Sequence, residues 1–309
     1  MICVNHLTKL FGKQIAVNDL SFTIQPGEIV GFLGPNGAGK STTMKMLTGF
    51  LPASDGTIVI QGKNLLDEAV SVKKTIGYLP EGAPLYSEMS VYQFLTFIAQ
   101  ARDIPKHRRA SAIQRVAEKV DLIDLMNVKI ETLSKGFKRR VGIAQAIIHD
   151  PDILILDEPT DGLDPNQKHQ VRQLIKTLAI DKIVIVSTHI LEEVSSVCNR
   201  VMIIAKGILK FDGTPEALLS QSRYHNAVSI RLKQIADISG LLELEGVQDF
   251  YYCKDTRVTT VFPLPGHTVV EQVSAFIYQN KLPIHSFAEE RGRLDEVFRD
   301  ITSEASESP

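Results

Sequence analysis

Three textures of apolar and polar positions follow one another along the chain. In the first, short apolar runs bounded by turn residues predict strands: Ile2 and Val4, Ser21-Phe22-Thr23-Ile24, Ile29-Val30-Gly31-Phe32-Leu33, Thr57-Ile58-Val59-Ile60 and Ile76-Gly77-Tyr78-Leu79. The clusters Gln25-Pro26-Gly27-Glu28 and Leu51-Pro52-Ala53-Ser54-Asp55-Gly56 are the turns between them. From Ser90 the period changes. Val91, Phe94, Leu95 and Ile98 fall on one helix face with Ser90 as N-cap, and helical character continues over 110–120 and 122–126. This helical block, about residues 84–150, reads as an insertion before the next strand.

Two buried strands follow, Ile153-Leu154-Ile155-Leu156 and Ile183-Val184-Ile185-Val186, separated by a helix face of Val171, Leu174, Ile175 and Leu178. Val201-Met202-Ile203-Ile204 and Ile208-Leu209 predict a hairpin around Lys206-Gly207. After Gly213-Thr214-Pro215-Glu216 the third texture begins, with strands over 228–232 and 258–264, a helix through Val269, Val270, Val273, Phe276 and Ile277, and a last one through Leu294, Val297 and Phe298. It contains no catalytic constellation. No internal repeat is visible, and the acidic, polar tail 303–309 is expected to be disordered.

The candidate chemistry centres on Gly34-Pro35-Asn36-Gly37-Ala38-Gly39-Lys40-Ser41-Thr42, which sits between a predicted strand and the helix formers Met44-Lys45-Met46-Leu47. That is the strand, glycine-rich loop and helix order of a P-loop. Its backbone N–H groups can curl around anionic oxygens, and the helix adds its positive end. Lys40 is expected to reach the β- and γ-phosphates, Ser41 to ligate magnesium, and Thr42 to bond near the α-phosphate. At the end of the buried strand, Asp157 is placed to hold Mg2+ and Glu158 to orient and polarise water. Four further residues keep two readings. Phe11 is either a half-buried core ring or a platform for a purine base. Ser134 and Gly136, before a helical stretch, form either an ordinary N-cap or a phosphate contact. His189, at a strand end, is either structural or a contact to the γ-phosphate.

Composition narrows the class. A chain of 309 residues with 44% apolar and 23% charged residues can bury a full core in one large or two ordinary domains. A net charge of −2 argues against nucleic-acid binding through bulk positive charge, and the run Lys106-His107-Arg108-Arg109 reads as a solvated face. Cys3, Cys198 and Cys253 lie far apart and read as reduced thiols. Neither a signal peptide nor the ~20-residue apolar stretch of a membrane-spanning helix is expected.

With these motifs in order, residues 1–220 resemble the ATP-binding subunit of an ABC transporter. Phe11 matches the adenine-stacking aromatic loop, residues 34–42 the phosphate loop, Glu81 the Q-loop, and residues 133–137 the signature. Asp157 and Glu158 match the second acidic motif, Asp161-Gly162-Leu163-Asp164 the D-loop, and His189 the switch histidine. The sequence departs from the pattern where Lys135 and Phe137 alter the usual Leu-Ser-Gly-Gly-Gln and where Glu81 replaces glutamine. Glu81 keeps an oxygen that can face magnesium. These departures and the appended domain resemble the exporter subclass of drug, sodium and gliding-motility ATPases.

The resemblance implies an α/β fold: a P-loop NTPase core with a β-rich N-terminal subdomain and an inserted helical subdomain, plus a small C-terminal α+β domain over 221–302. It implies ATP and Mg2+ as ligands, with Asp164 of the D-loop among the nucleotide-binding residues, and a head-to-tail pair in which Ser134 and Gly136 reach the partner's ATP. It also implies a separate membrane permease, a place at the inner face of the cell membrane, and no nucleic-acid partner. A soluble ABC ATPase working mechanically on ribosomes or DNA is the alternative. A P-loop kinase or GTPase would lack the Ser134 signature and His189.

Overall fold

The N-terminal alternation forms a long hairpin in which β1 (Ile2–Phe11) and β2 (Gln14–Ile24) pair antiparallel on either side of Gly12 and Lys13. In this computed structural model, residues 1–82, 84–234 and 236–303 are described. After β3 (Ile29–Leu33) the chain passes through the glycine-rich loop into α1 (Lys40–Leu47). It then forms β4 (Asp55–Ile60), the short β5 (Lys63–Asn64), α2 (Ala69–Lys74) and β6 (Ile76–Leu79). The helical block contains α3 (Val91–Ala101), α4 (Lys106–Lys119) and α5 (Lys135–Ile147). Beyond it come β7 (Ile153–Asp157), α6 (Pro165–Leu178), β8 (Ile183–Thr188), α7 (Leu191–Val197) and the hairpin β9 (Arg200–Ala205) to β10 (Ile208–Gly213).

Two sheets organise this part. One is antiparallel, ordered β2-β1-β4-β5; the other has six strands, ordered β10-β9-β3-β8-β7-β6, parallel except for β10. The all-apolar runs of β7 and β8 are explained by what covers each face. Ile153, Ile155, Ile183 and Ile185 pack toward α1 and the N-terminal sheet, whereas Leu154, Leu156, Val184 and Val186 pack among the helices. Side chains alternate across a strand, so a sheet covered on both faces needs apolar residues at every position. The strands' carboxyl ends consequently deliver whatever follows them, here Asp157 and His189, to one edge of the core.

Ser90 closes a capping box with Gln93: its Oγ accepts from the Gln93 N–H at 3.2 Å while Gln93 Oε1 accepts from the Ser90 N–H at 2.9 Å. The helix expected over 122–126 is not formed. Asp121 turns into left-handed backbone (φ 53°) and ends α4's run, and only a single 3-10 turn at Ile123–Leu125 follows. The basic run at 106–109 lies in the first turn of α4 with Lys106, His107 and Arg108 exposed.

The chain divides into two compact units, one formed by Met1–Pro215 and the other by Glu216–Ile301. After α8 (Pro215–Leu219), the second unit has β11 (His225–Leu232), β12 (Val247–Cys253), β13 (Val258–Pro263), α9 (Val270–Gln279), β14 (Ile284–Arg291) and α10 (Leu294–Ser303). Its sheet is antiparallel in the order β12-β13-β11-β14, with Val228, Ile230, Val261, Val269, Val273 and Ile277 in its core. Of the tail expected at 303–309, Ser303 closes α10 and the rest lies outside the described residues. Among the described residues no helix is long and apolar enough to cross a membrane.

Candidate functional site

The glycine-rich loop is shaped by contacts that leave no room for side chains at two of its positions. A Cβ on Gly34 would lie 2.3 Å from the Ile204 carbonyl oxygen, and one on Gly39, whose φ is +106°, would lie 2.5 Å from that of Ala16. The loop is tied to the β9–β10 hairpin, where the Gly207 N–H donates to the Ala38 carbonyl at 2.9 Å. Gly39 is the N-cap of α1 and supplies no side-chain cap, so the first N–H groups of the helix are free to meet an anion.

These elements surround a cleft of about 720 Å³. Asn36, Gly37, Gly39, Lys40, Ser41 and Thr42 form one side, Glu81 and Glu158 another, and Phe11, Gln14, Ile15, Ala16 and Lys206 the mouth. Phe11 is 49% exposed and so is not a core ring; it presents a free aromatic face, with the Lys9 ammonium 5.4 Å from its centroid. Gly34, Pro35 and Ala38 build the loop from behind: the Lys40 ammonium donates to the Gly34 and Pro35 carbonyls at 2.7 and 3.2 Å. Burial holds the Lys40 pKa below that of a free lysine, opposed by the charges of Glu158, Asp157 and Glu81.

Asp157 is 1% exposed. Its Oδ1 accepts short from the Ser187 hydroxyl and at 3.5 Å from Ser41, while Oδ2 is buried without any partner. A buried carboxylate oxygen left open beside a serine hydroxyl is the donor chemistry that Mg2+ takes, and this ion usually relies on one or two carboxylates plus phosphate and water. The residues therefore fit the ion. Glu81 stands exposed on the cleft wall, where it adds a third negative charge.

Glu158 departs from the strand with left-handed backbone, φ 50°, fixed by its N–H donating to the Ser187 carbonyl at 3.1 Å and Oγ at 3.3 Å. This strain turns its side chain away from β7 and toward the cleft. His189 Nδ1 lies 3.1 Å from both carboxylate oxygens of Glu158. Burial pushes the Glu158 pKa up, against the pull of His189 and Lys40. Arg139 of α5 supports the same segment, donating to the carbonyls of Asp157 and Pro159 at 3.0 Å each.

Set against known proteins, the family model described as "ABC transporter" matches residues 17–161. The uncharacterized ABC transporter ATP-binding protein YxlF of Bacillus subtilis is 32% identical over 96% of this chain and 98% of its own length. The chain belongs to the ABC transporter ATP-binding proteins. The Nod factor export ATP-binding protein I of Burkholderia lata is 36% identical over 69% of this chain and 71% of its own. A solved ATP-binding subunit of an ABC transporter covers 72% of this chain and 92% of that one with a TM-score of 0.65 at 29% identity. The fold is that of an ABC cassette, and the chain is an ATPase subunit of a transporter.

Within this ABC ATPase, Ser134, Gly136 and Asp164 gather away from the phosphate cleft. Ser134 caps α5, its Oγ accepting from the Phe137 N–H at 3.4 Å, and Asp164 caps α6 with Oδ1 accepting from the Gln167 N–H at 2.9 Å. Gly136 lies between them, with Gln167 2.6 Å from where its Cβ would be. Sequence reasoning did not find Ser187, Gln14, Ala16 or Lys206. Ser187 reaches Asp157 only because β7 and β8 pair in parallel with those two residues side by side. The other three reach the cleft through the close approach of two hairpins to the loop.

Proposed function

We propose that this chain binds Mg·ATP in the cleft and hydrolyses it as one half of a head-to-tail homodimer that drives export through a separate membrane permease. The observation that carries the reading is the Glu158 carboxylate, held in strained backbone at the end of β7, on the wall of the cleft that Lys40 lines and in contact with His189.

In this mechanism the N–H groups of the loop and Lys40 hold the phosphates, and Phe11 stacks on the base. Ser41 and Asp157 hold Mg2+, with Glu81 facing it; the ion supplies neutralisation of the charge on the transferring phosphoryl group. Glu158 orients and polarises the attacking water, and His189 keeps the carboxylate in place and bonds toward the γ-phosphate. Ser134, exposed at the start of α5, meets the ATP of the second subunit, with Gly136 buried behind it against Gln167 and Asp164 beside them. ATP thereby joins the pair, and hydrolysis removes the shared contact. Glu81 and the helical block carry that opening to the permease, which places the protein at the inner face of the cell membrane. An export role is supported by the relative whose name says Nod factor export.

The decisive test is Glu158→Gln. It keeps the shape of the side chain but not the charge, so ATP binding stays while turnover falls at least about a hundredfold. Turnover near the wild-type rate would remove Glu158 from this role.

A further inference from the structure

The two loops that carry Glu158 and His189 leave neighbouring strands, and one buried carboxylate ties them together. Glu193, in the first turn of α7, is 3% exposed. Its Oε1 accepts a short hydrogen bond from Thr160, two residues after Glu158, and its Oε2 accepts at 2.9 Å from Thr188, the residue before His189. Thr160 and Thr188 are 2% and 0% exposed, so neither hydroxyl has water as an alternative. Thr188 Oγ1 also accepts from the Ile190 N–H at 3.0 Å, which fixes the backbone on the other side of His189. The cation facing this carboxylate is Arg172 of α6, whose Nη2 lies 4.0 Å from Oε1.

We propose that Glu193 is a positioning residue for hydrolysis: it sets the separation of Glu158 and His189 by holding both loops on one carboxylate. A buried carboxylate that accepts from two hydroxyls has its two oxygens spoken for, and its removal leaves both donors without a partner in a dry site. Glu158 already sits in unfavourable backbone, so a loop released at Thr160 relaxes away from the geometry that presents the carboxylate. Glu193 is neither among the cleft-lining residues nor hydrogen-bonded to the loop that holds the phosphates. Its loss therefore acts on the chemical step and not on ATP affinity.

This rests on Glu158 and His189 being the hydrolytic pair, and the test separates the two claims. In the full chain, Glu193→Ala lowers kcat at least about tenfold, since a misplacement on the order of 1 Å in a catalytic group can cost up to about a hundredfold. ATP affinity, measured by equilibrium binding, stays within about twofold. Glu193→Gln, which keeps one acceptor and the side-chain volume, recovers most of the rate. Thr160→Val, which removes one tie and retains the shape, shows the same split of kcat from affinity and serves if the alanine variant does not fold. In a Glu158→Gln background, Glu193→Ala lowers the residual rate by less than about twofold, because the group it positions is already gone. A wild-type kcat in both Glu193→Ala and Thr160→Val, a parallel loss of affinity and rate, or full additivity with Glu158→Gln overturns the inference. An active Glu158→Gln enzyme overturns instead the reading on which it rests.

Discussion

Two helices of the ATPase unit begin with a serine close to the start and treat their N-termini in opposite ways. α1 begins behind Gly39, which has no side chain to offer, so its first N–H groups remain open onto the cleft that Lys40, Glu81 and Glu158 line. α5 begins behind Ser134, whose hydroxyl closes one of the helix's own N–H groups while Ser134 and Lys135 lie exposed. An uncapped helix start with a lysine folded into the same loop is a finished anion site. A capped start on an open surface offers one weakly held hydroxyl, and on the proposed reading it meets phosphate only when a partner brings one. On the proposed reading, the first site is complete within the chain and the second is half of a shared one. Arg139 joins them, since it leaves α5 one turn beyond Ser134 and donates to the carbonyls of Asp157 and Pro159.

A single change should cost most at the cleft. Asp157→Ala removes the buried carboxylate whose Oδ2 is open and which Ser41 and Ser187 approach. Mg2+-dependent ATP turnover should fall by about a thousandfold, the range seen when a main electrostatic stabiliser is removed. Phosphate release measured across a magnesium titration checks it; a rate within tenfold of wild type would mean that another group holds the ion. At the other helix the expected effect is on assembly. Ser134→Arg places a long cation where the partner's phosphate loop would approach and also removes a cap hydrogen bond, at a cost of about 1 kcal/mol. In a Glu158→Gln background with Mg·ATP, sizing chromatography should show loss of the dimer while ATP affinity of the single chain changes by less than about threefold. A dimer that persists would show that the open serine is not half of a shared site.

The residues that line the cleft edge were legible because they are contiguous in the chain. Five apolar or charged positions in a row at β7, and the glycine loop between strand and helix, need no partner to be read. What depends on pairing was hidden. Ser187 joins Asp157 through the parallel register of β7 and β8, and Glu193 looks like any acid on an amphipathic helix until Thr160 and Thr188 close on it. In the second unit, β12 and β14 went unread. β14 takes its place beside β11 by register, while His285, Ser286, Glu289 and Arg291 break the apolar alternation that marks a strand. The helix expected over 122–126 failed for the converse reason: its apolar residues are in phase, but Asp121 takes left-handed backbone and stops the run.

A milder change lies at the far end of α5, the helix that carries Arg139 and that Ser134 caps. His149 follows the helix and is largely buried, with Nε2 3.1 Å from the Ile76 carbonyl at the start of β6 and Nδ1 without a partner. Burial, and then the positive charge of Arg102, lower its pKa from 6.5 to about 4. The unfolded chain therefore takes up this proton first as pH falls. The stability due to neutral His149 is whole above pH 6.5, declines between 6.5 and about 4, and has no further slope below that. Asp150, held below its usual 3.8 by Lys182, contributes its own loss only as pH falls below that value, so the two windows separate. His149→Gln keeps an amide N–H for the Ile76 carbonyl and cannot titrate in this range. Urea unfolding at pH 7, 5.5 and 4.5 should give a wild type that loses stability faster than the variant, by at most about 1.4 kcal/mol per pH unit. Parallel losses in the two proteins would mean that His149 is protonated as readily in the fold as in the open chain. The end of α5 would then be far looser than its packing against β6 implies.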